Sequence, residues 1–366
     1  MRIAFPWKSP MNEHAMRRML EGGGGWPGAM LRAGLWIPGK AYGGLMRLRR
    51  SAYRRGLLSS VHPGVPVISV GNLTAGGSGK TPFTVLLAEV LSGLGVRPGI
   101  LLRGYRSSTE GLSDEAALYA CLCPDALVET GSDRRASARR AVAAGAQALI
   151  MDDGMQHLRL RRDLDIVLVD ATSPWGGGNT LPGGLLREPK SAMRHAGVVV
   201  VTRANQAPAE TVAAIIREIR ARARAALVLT ACHRPARLYR LDNTEIPLSA
   251  LRGRKAVALS GIARPEAFEK TLGELGADVV ASFAGSDHEH YDKEFVGQAI
   301  AAAEKHGAVV VTTEKDRAKQ IFSDYADNNN VKEIPDIWTL GIRQAVDGEE
   351  KLRAAVSRIA VQMEKA

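Results

Sequence analysis

Short apolar runs separated by amphipathic stretches dominate the chain after residue 66. The runs are typical of buried strands and lie at 67–70, 99–102, 149–151, 166–169, 198–201, 226–229, 256–259, 279–281 and 309–311. Helical periodicity lies between many of them, at 82–94, 134–144, 210–224, 265–273, 294–306 and 349–363. Strands that alternate with helices predict an α/β fold, in which helices flank a mostly parallel sheet.

The N-terminal 62 residues follow a different pattern. Between Met30 and Leu48, apolar residues recur at helical spacing with basic residues interleaved, and Pro38 predicts a break in the run. This pattern predicts an amphipathic pair of helices at a membrane interface. A helical segment packed on the protein's own body is the alternative. The apolar runs stop short of the ~18 to 20 residues that a spanning helix needs, and no signal-peptide pattern is present.

Changes in pattern along the chain predict three portions. Residues 1–62 form the basic amphipathic segment, residues 63–230 a core that carries the candidate chemistry, and residues 231–366 a smaller C-terminal α/β portion. The span 232–247 has few apolar residues and is interpreted as a connection between the last two portions.

Composition and charge narrow the class of protein. The 366 residues are 45% hydrophobic and 24% charged, which excludes a disordered or collagenous chain. Three cysteines indicate a reducing compartment and no disulfide framework. Residues 1–66 hold eleven Arg and Lys against two acids, or +9 of the net +11, together with Trp7, Trp26 and Trp36. Cationic and indole side chains together favour a membrane head-group layer, and without a nucleic-acid motif we expect no nucleic-acid partner.

The strongest motif is Val-Gly-Asn-Leu-Thr-Ala-Gly-Gly-Ser-Gly-Lys-Thr, which follows a predicted strand and precedes a predicted helix. Glycines let backbone N–H groups converge on phosphate oxygens, Lys80 can reach the β and γ phosphates, and the Thr81 hydroxyl can bind Mg²⁺. The strict pattern has glycine where this chain has Thr74. The predicted phosphate-binding residues are Thr74, Ala75, Gly76, Gly77, Ser78, Gly79, Lys80 and Thr81.

A second motif, Asp-Asp-Gly-Met-Gln-His, ends an apolar strand at Asp152 and Asp153. In a nucleotide-triphosphate site such a carboxylate holds Mg²⁺, and the other can pair with Lys80. Which of the two binds the metal stays open, and a plain strand-ending turn is the alternative. Glu115 is a further candidate magnesium ligand.

Three other segments carry candidate site residues. Arg103 follows a strand and can face phosphate, whereas Asp114 is either a base for a hydroxyl group or a helix cap. The loop 177–189 supplies substrate candidates, and it can equally be a surface connection; they are Asn179, Arg187 and Glu188. Asp287 and His288 indicate an Asp–His pair, a structural loop or, less well supported, part of a zinc site.

Taken together, these motifs resemble the bacterial tetraacyldisaccharide 4′-kinases of lipid A biosynthesis. The resemblance covers nearly the whole chain, since Arg-Gly-Tyr, Gly-Asn, Leu-Arg-Glu, Ser-Gly-Ile-Ala-Arg-Pro, Asp-His and Thr-Glu-Lys-Asp follow in the family's order. The family's own phosphate loop has Thr at the position of Thr74. The resemblance implies a P-loop kinase fold, with ATP and Mg²⁺ as cofactors.

The resemblance also implies the reaction. The γ-phosphoryl group of ATP would pass to the 4′-hydroxyl of a tetraacylated disaccharide 1-phosphate, giving lipid IVA at the cytoplasmic face of the inner membrane. It further implies that Asp114 is the catalytic base, helped by His288, while Lys80 offsets charge on the transferred group. Two alternatives stay open from the residues alone: another P-loop small-molecule kinase or ligase, and a membrane-recruited nucleotide-binding module.

Overall fold

The computed structural model describes residues 16–104, 114–262, 265–285, 293–318 and 336–362. These residues form two compact units. The first comprises residues 16–104, 123–232 and 344–362, and the second comprises 114–122 with the described part of 233–343. The units are therefore interleaved along the chain, unlike the consecutive portions 63–230 and 231–366 of the sequence prediction. One reason is that the helix Asp114–Leu122 packs against Glu314–Arg317 within the second unit.

The structure has the following elements. The helices are α1 (Gly25–Gly34), α2 (Trp36–Arg54), α3 (Lys80–Gly93), α4 (Asp114–Leu122), α5 (Arg134–Ala143), α6 (Ala209–Arg222), α7 (Pro265–Glu274), α8 (Lys293–His306), α9 (Glu314–Arg317) and α10 (Glu349–Gln362). The strands are β1 (Val67–Asn72), β2 (Pro98–Leu102), β3 (Leu127–Thr130), β4 (Ala148–Asp152), β5 (Leu164–Asp170), β6 (Val198–Thr202), β7 (Leu227–Arg240), β8 (Glu245–Ile246), β9 (Lys255–Ser260), β10 (Asp278–Ala284), β11 (Val309–Thr313) and β12 (Ile337–Asp347).

The first unit is built on a parallel sheet in the order β7-β6-β5-β1-β4-β2-β3. All residues of β1, β2, β4 and β6 are buried, which explains why these strands are continuous apolar runs. β1 lies between β4 and β5, and the chain after β1 and the chain after β4 continue toward opposite edges of the sheet. In such sheets the ligand crevice lies beyond the carboxyl ends of these strands.

The second unit has its own parallel strands, in the order β10-β9-β11-β12, and β8 pairs antiparallel with the end of β7. Helices α7 and α8 pack on β9 and β10. The α/β class and mostly parallel sheets predicted from the apolar runs are confirmed.

One expectation about local structure is corrected. The span 232–247 is not only a connection, because β7 continues through it to Arg240 and β8 follows. Much of this part of β7 is exposed, so it has no continuous apolar run. By contrast, the run 30–48 is interrupted as predicted, because α1 ends at Gly34 and α2 begins at Trp36, and Pro38 lies in the first turn of α2, where no intrahelical N–H bond is lost.

The two N-terminal helices confirm a helical pair. Gly39 and Gly43 lie on the buried face of α2, where Thr180 approaches: an added Cβ would meet the Thr180 carbonyl oxygen at 2.8 Å and the Thr180 Oγ1 at 2.9 Å, respectively. The Thr180 hydroxyl donates to the Gly39 carbonyl. Within the described ranges, no helix combines the length and the apolar character needed to cross a bilayer.

Candidate active site at the carboxyl ends of β1 and β4

The glycine-rich loop joins β1 to α3. Its backbone needs glycine at two points, because φ is +123° at Gly76 and +81° at Gly79, where L side chains are strained. Gly79 directly precedes the first residue of α3, so the loop ends at a helix N-terminus. Backbone N–H groups and the helix dipole favour anions at such a position.

Neighbouring strands hold the loop in this shape. The Thr202 hydroxyl donates to the Ser78 carbonyl at 3.0 Å, and Arg203 Nη1 donates to the Gly77 carbonyl at 2.9 Å. On the other side, the Ala75 N–H donates to the Leu185 carbonyl at 2.7 Å. Because carbonyl groups of the loop are bound by β6 and by the residue that follows it, the loop is preorganised.

Lys80 is held between two acceptors. Its Nζ lies 3.3 Å from Asn72 Oδ1 and 3.5 Å from Asp153 Oδ1. Asn72 Nδ2 in turn donates to the Gly76 carbonyl at 3.2 Å. Asn72 therefore links the lysine to the loop, and the ammonium group is fixed at the start of α3.

The adjacent aspartates Asp152 and Asp153 face different partners. Asp153 has φ +51°, and its carboxylate accepts from Arg187 Nη1 at 2.8 and 3.1 Å in addition to its contact with Lys80. Burial would raise the pKa of Asp153, but the charges of Lys80 and Arg187 outweigh burial and hold the pKa below its ordinary value. Asp152 is buried, and its Oδ1 accepts from the Asp153 N–H at 2.8 Å. The predicted division, in which one of the two pairs with Lys80, is therefore observed for Asp153.

The loop 177–189 packs beside the phosphate loop, since the Arg187 N–H donates to the Leu73 carbonyl at 2.7 Å. Asn179 accepts through its backbone carbonyl from the Leu186 N–H at 3.1 Å. Glu188 is buried, and its two carboxylate oxygens bind Arg50 of α2 at 2.7 to 3.0 Å. The structure thus brings Arg187 to Lys80 and Asp153, whereas Glu188 anchors a helix.

The remaining predicted residues are distributed as follows. Thr81 is the half-buried second residue of α3, and Arg103 is exposed just beyond β2. Asp114 is the first residue of α4 and Glu115 the second, both in the second unit. His288 and Asp287 lie outside the described residues. Within the part of the chain that the structure describes, no three His, Cys, Asp or Glu side chains cluster as a metal site.

Three residues that shape the site are not among those predicted from the sequence. Asn72 positions Lys80, while Asp170 binds Arg203 and accepts from the Thr172 hydroxyl at 2.6 Å. Asn72 is the last residue of β1 and Asp170 the last residue of β5, and these two largely apolar strands are neighbours in the sheet. That placement, at the carboxyl edge of a parallel sheet, was the available signal. Arg203 has φ +53° and follows β6 directly, which its sequence does not reveal.

Two proteins that are similar to this chain are both named tetraacyldisaccharide 4′-kinase. A tetraacyldisaccharide 4′-kinase of Anaeromyxobacter sp. strain Fw109-5 is 39% identical over 310 residues, covering 79% of this chain and 81% of that protein. A tetraacyldisaccharide 4′-kinase of Geobacter sulfurreducens is 39% identical over 312 residues, covering 79% of this chain and 84% of that protein.

A solved structure shows the same fold. The crystal structure of "apo" form LpxK from Aquifex aeolicus in complex with ATP is 28% identical, with a TM-score of 0.69, covering 90% of this chain and 99% of that one. The sequence model of the tetraacyldisaccharide-1-P 4′-kinase family matches residues 31–360, which include the phosphate loop, the paired aspartates and Arg187. This chain therefore belongs to the tetraacyldisaccharide-1-P 4′-kinase family.

Proposed function

We propose that this chain transfers the γ-phosphoryl group of ATP to the 4′-hydroxyl of a tetraacylated disaccharide 1-phosphate, which yields lipid IVA in lipid A biosynthesis. The observation that carries the proposal is the fixed position of Lys80 at the start of α3, between Asn72 and Asp153. A lysine held there reaches the β and γ phosphates of a nucleotide bound by the preceding loop. The relative from Aquifex aeolicus was crystallised with ATP, which supports the choice of nucleotide.

Magnesium fits the oxygen donors near this lysine. Mg²⁺ prefers oxygen ligands and is usually bound through one or two carboxylates plus substrate phosphates. Thr81 offers a hydroxyl and Asp152 a carboxylate at the end of β4, whereas Asp153 is already bound to Lys80 and Arg187. We therefore assign Thr81 and Asp152 as the magnesium-binding pair. The ion would neutralise charge on the phosphate oxygens when bound.

Lys80 and Arg187 act on the transferred group. During transfer the bond between the γ-phosphorus and the β,γ-bridging oxygen breaks, a bond to the 4′-oxygen forms, and ADP leaves. Preorganised cations stabilise the charge on the phosphoryl oxygens at that stage. Asp153 keeps both cations in place, because its depressed pKa keeps it ionised at neutral pH.

Asp114 is the proposed base, and it accepts the proton of the 4′-hydroxyl, with His288 assisting. Support comes from the resemblance to the family, which implies a base at this position. A positioned base contributes roughly 10²- to 10⁴-fold to the rate. An Asp114→Asn variant should therefore lose kcat by about that factor with little change in the KM for ATP, since the group acts in the transition state.

A membrane surface is the proposed site of action, because the acceptor is a lipid. The exposed apolar side chains of the first two helices support this location: Trp26 is 75% exposed, Met30 67%, Ile37 71% and Leu48 70%. Basic residues accompany them along α2. We place the enzyme as a peripheral protein on the cytoplasmic face of the inner membrane.

The decisive experiment supplies γ-labelled ATP and the acylated disaccharide 1-phosphate in detergent micelles and measures label in the lipid. The full chain should label the lipid, Lys80→Ala should reduce labelling at least a hundredfold, and Lys270→Ala should not change it. Lys270 is the control because its ion pair with Glu274 is exposed and far from the site in sequence. Unlabelled lipid with the wild type, or full labelling with Lys80→Ala, would refute the proposal.

A further inference from the structure

A short N-terminal segment, residues 16–24, lies against the active-site loops. It precedes residues 31–360, the part of the chain that matches the family. Leu20 is buried, and Glu21 accepts from the Ser173 hydroxyl at 2.9 Å. Gly177 packs so closely that an added Cβ would lie 1.9 Å from the Leu20 carbonyl oxygen. The segment therefore has a defined position beside the chain that follows β5.

This position brings Arg17 onto the phosphate loop. A Cβ added to Gly76 would lie 2.8 Å from Arg17 Nη1 and 2.9 Å from Nη2. The guanidinium group therefore occupies the space that a side chain at position 76 would need. Arg17 Nε is bound to Glu21 Oε1 at 3.2 Å. Glu21 thus holds the guanidinium by its inner nitrogen, while the two terminal nitrogens face the loop.

A guanidinium group beside this loop is suited to binding phosphate. Its planar set of N–H donors matches phosphate oxygens and can bind two of them at once. Two other arginines beside the loop, Arg187 and Arg203, use their terminal Nη1 to bind Asp153 and Asp170, respectively. Arg17, by contrast, is paired through Nε, which leaves its Nη side directed at Gly76.

We propose that Arg17 is a nucleotide-binding residue that donates from Nη1 and Nη2 to the phosphate oxygens of ATP in the loop 74–81. The inference rests on the proposed function, because it takes the loop to be an ATP site. It gives residues 16–24 a role in nucleotide affinity. Glu21 is then a positioning residue that sets the direction of the guanidinium.

The test measures the dissociation constant of a fluorescent ATP analogue for the full-length protein and its variants. Arg17→Ala should weaken binding roughly tenfold to a hundredfold, the range for a hydrogen bond to a charged group. Arg17→Lys should give a smaller loss, because it keeps the charge without the planar donors. Arg18→Ala is the matched control: it removes the same charge from an exposed neighbouring position and should bind like the wild type.

Two further variants separate the explanations. Glu21→Gln removes the ion pair but keeps Arg17, so it should bind ATP much more tightly than Arg17→Ala does; equal losses in both would assign Arg17 a structural role and overturn the inference. Lys80→Ala reports on the proposed function itself. If Lys80→Ala weakens binding while Arg17→Ala matches Arg18→Ala, the inference alone is wrong. If Lys80→Ala binds like the wild type, the proposed function fails as well.

Discussion

At the scale of single residues, one backbone angle separates the roles of two neighbouring carboxylates. The positive φ of Asp153 follows directly after β4 and turns its side chain to Lys80 and Arg187. Sequence pattern identified the pair Asp152 and Asp153 but left their roles open. No periodicity encodes a single residue in the left-handed region, because its conformation is fixed by tertiary contacts.

The buried pair of Arg50 and Glu188 leads to a prediction about stability. The side chains are 9% and 4% exposed, and Arg50 also donates to the Met155 carbonyl at 3.1 Å. Arg50→Met or Glu188→Leu alone should lower the free energy of unfolding by about 3 to 5 kcal/mol, because each leaves a buried charge without its partner. Urea denaturation provides the measurement.

The double variant of this pair is the control. Arg50→Met with Glu188→Leu should cost clearly less than the two single losses added together, since no unpaired charge remains. Additive losses would contradict an energetic coupling between the two side chains.

His157 predicts a dependence of stability on pH. Burial, followed by the charge of Arg134, lowers its pKa from 6.5 to about 4. Between these values the unfolded chain binds a proton that the folded chain does not, so stability falls as the pH falls from about 6.5 toward 4. Thermal unfolding midpoints recorded across this window should decline more steeply for the wild type than for His157→Gln. Parallel curves would mean that His157 does not contribute.

At the scale of elements, the packing of α2 predicts that replacing glycine by alanine has opposite effects on stability at Gly39 and at Gly44. Gly39→Ala would force its Cβ to 2.8 Å from the Thr180 backbone, and should cost about 1 to 3 kcal/mol. Gly44→Ala meets nothing within 4 Å and should stabilise the helix by about 0.5 to 1 kcal/mol. Denaturation midpoints of the two variants should move in opposite directions; a shared direction would contradict this packing.

The elements also show what the sequence could predict. Fully buried strands such as β1, β4 and β6 could be predicted because both of their faces are apolar. The glycine-rich loop could be predicted because its backbone has a positive φ at Gly76 and Gly79, where glycine is favoured. β3 is short, from Leu127 to Thr130, and half-buried, so it shows no clear pattern of apolar residues. β12 begins apolar but loses the pattern after Gly341. Contacts such as Arg50 with Glu188 join positions far apart in the chain, which no local pattern contains.

At the scale of the whole molecule, α2 presents an apolar face to the outside. Ile37, Leu45 and Leu48 fall within roughly 80° of one another at about 100° per residue, opposite the buried Gly39 and Gly43. A helix of a soluble domain usually has the reverse arrangement. The outward apolar face supports the proposed membrane association.

This face gives a further prediction. Replacing Ile37, Leu45 and Leu48 by Ser should reduce co-sedimentation with anionic phosphatidylglycerol vesicles at least tenfold, because the apolar area inserted into the interface is lost. The control is Leu94→Ser, a substitution of an exposed leucine at the end of α3, which should sediment like the wild type. Equal sedimentation of the triple variant and the wild type would exclude this face as the docking surface.

The interleaving of the two units has a genetic consequence. The chain returns to the first unit at Gln344, and α10 then packs against α3, the helix that starts at Lys80. A gene shortened after codon 230 would still encode the phosphate loop, but its product would lack the C-terminal helix that covers α3. Neither unit is encoded by one continuous stretch of the gene, so a single truncation cannot remove one unit and leave the other whole.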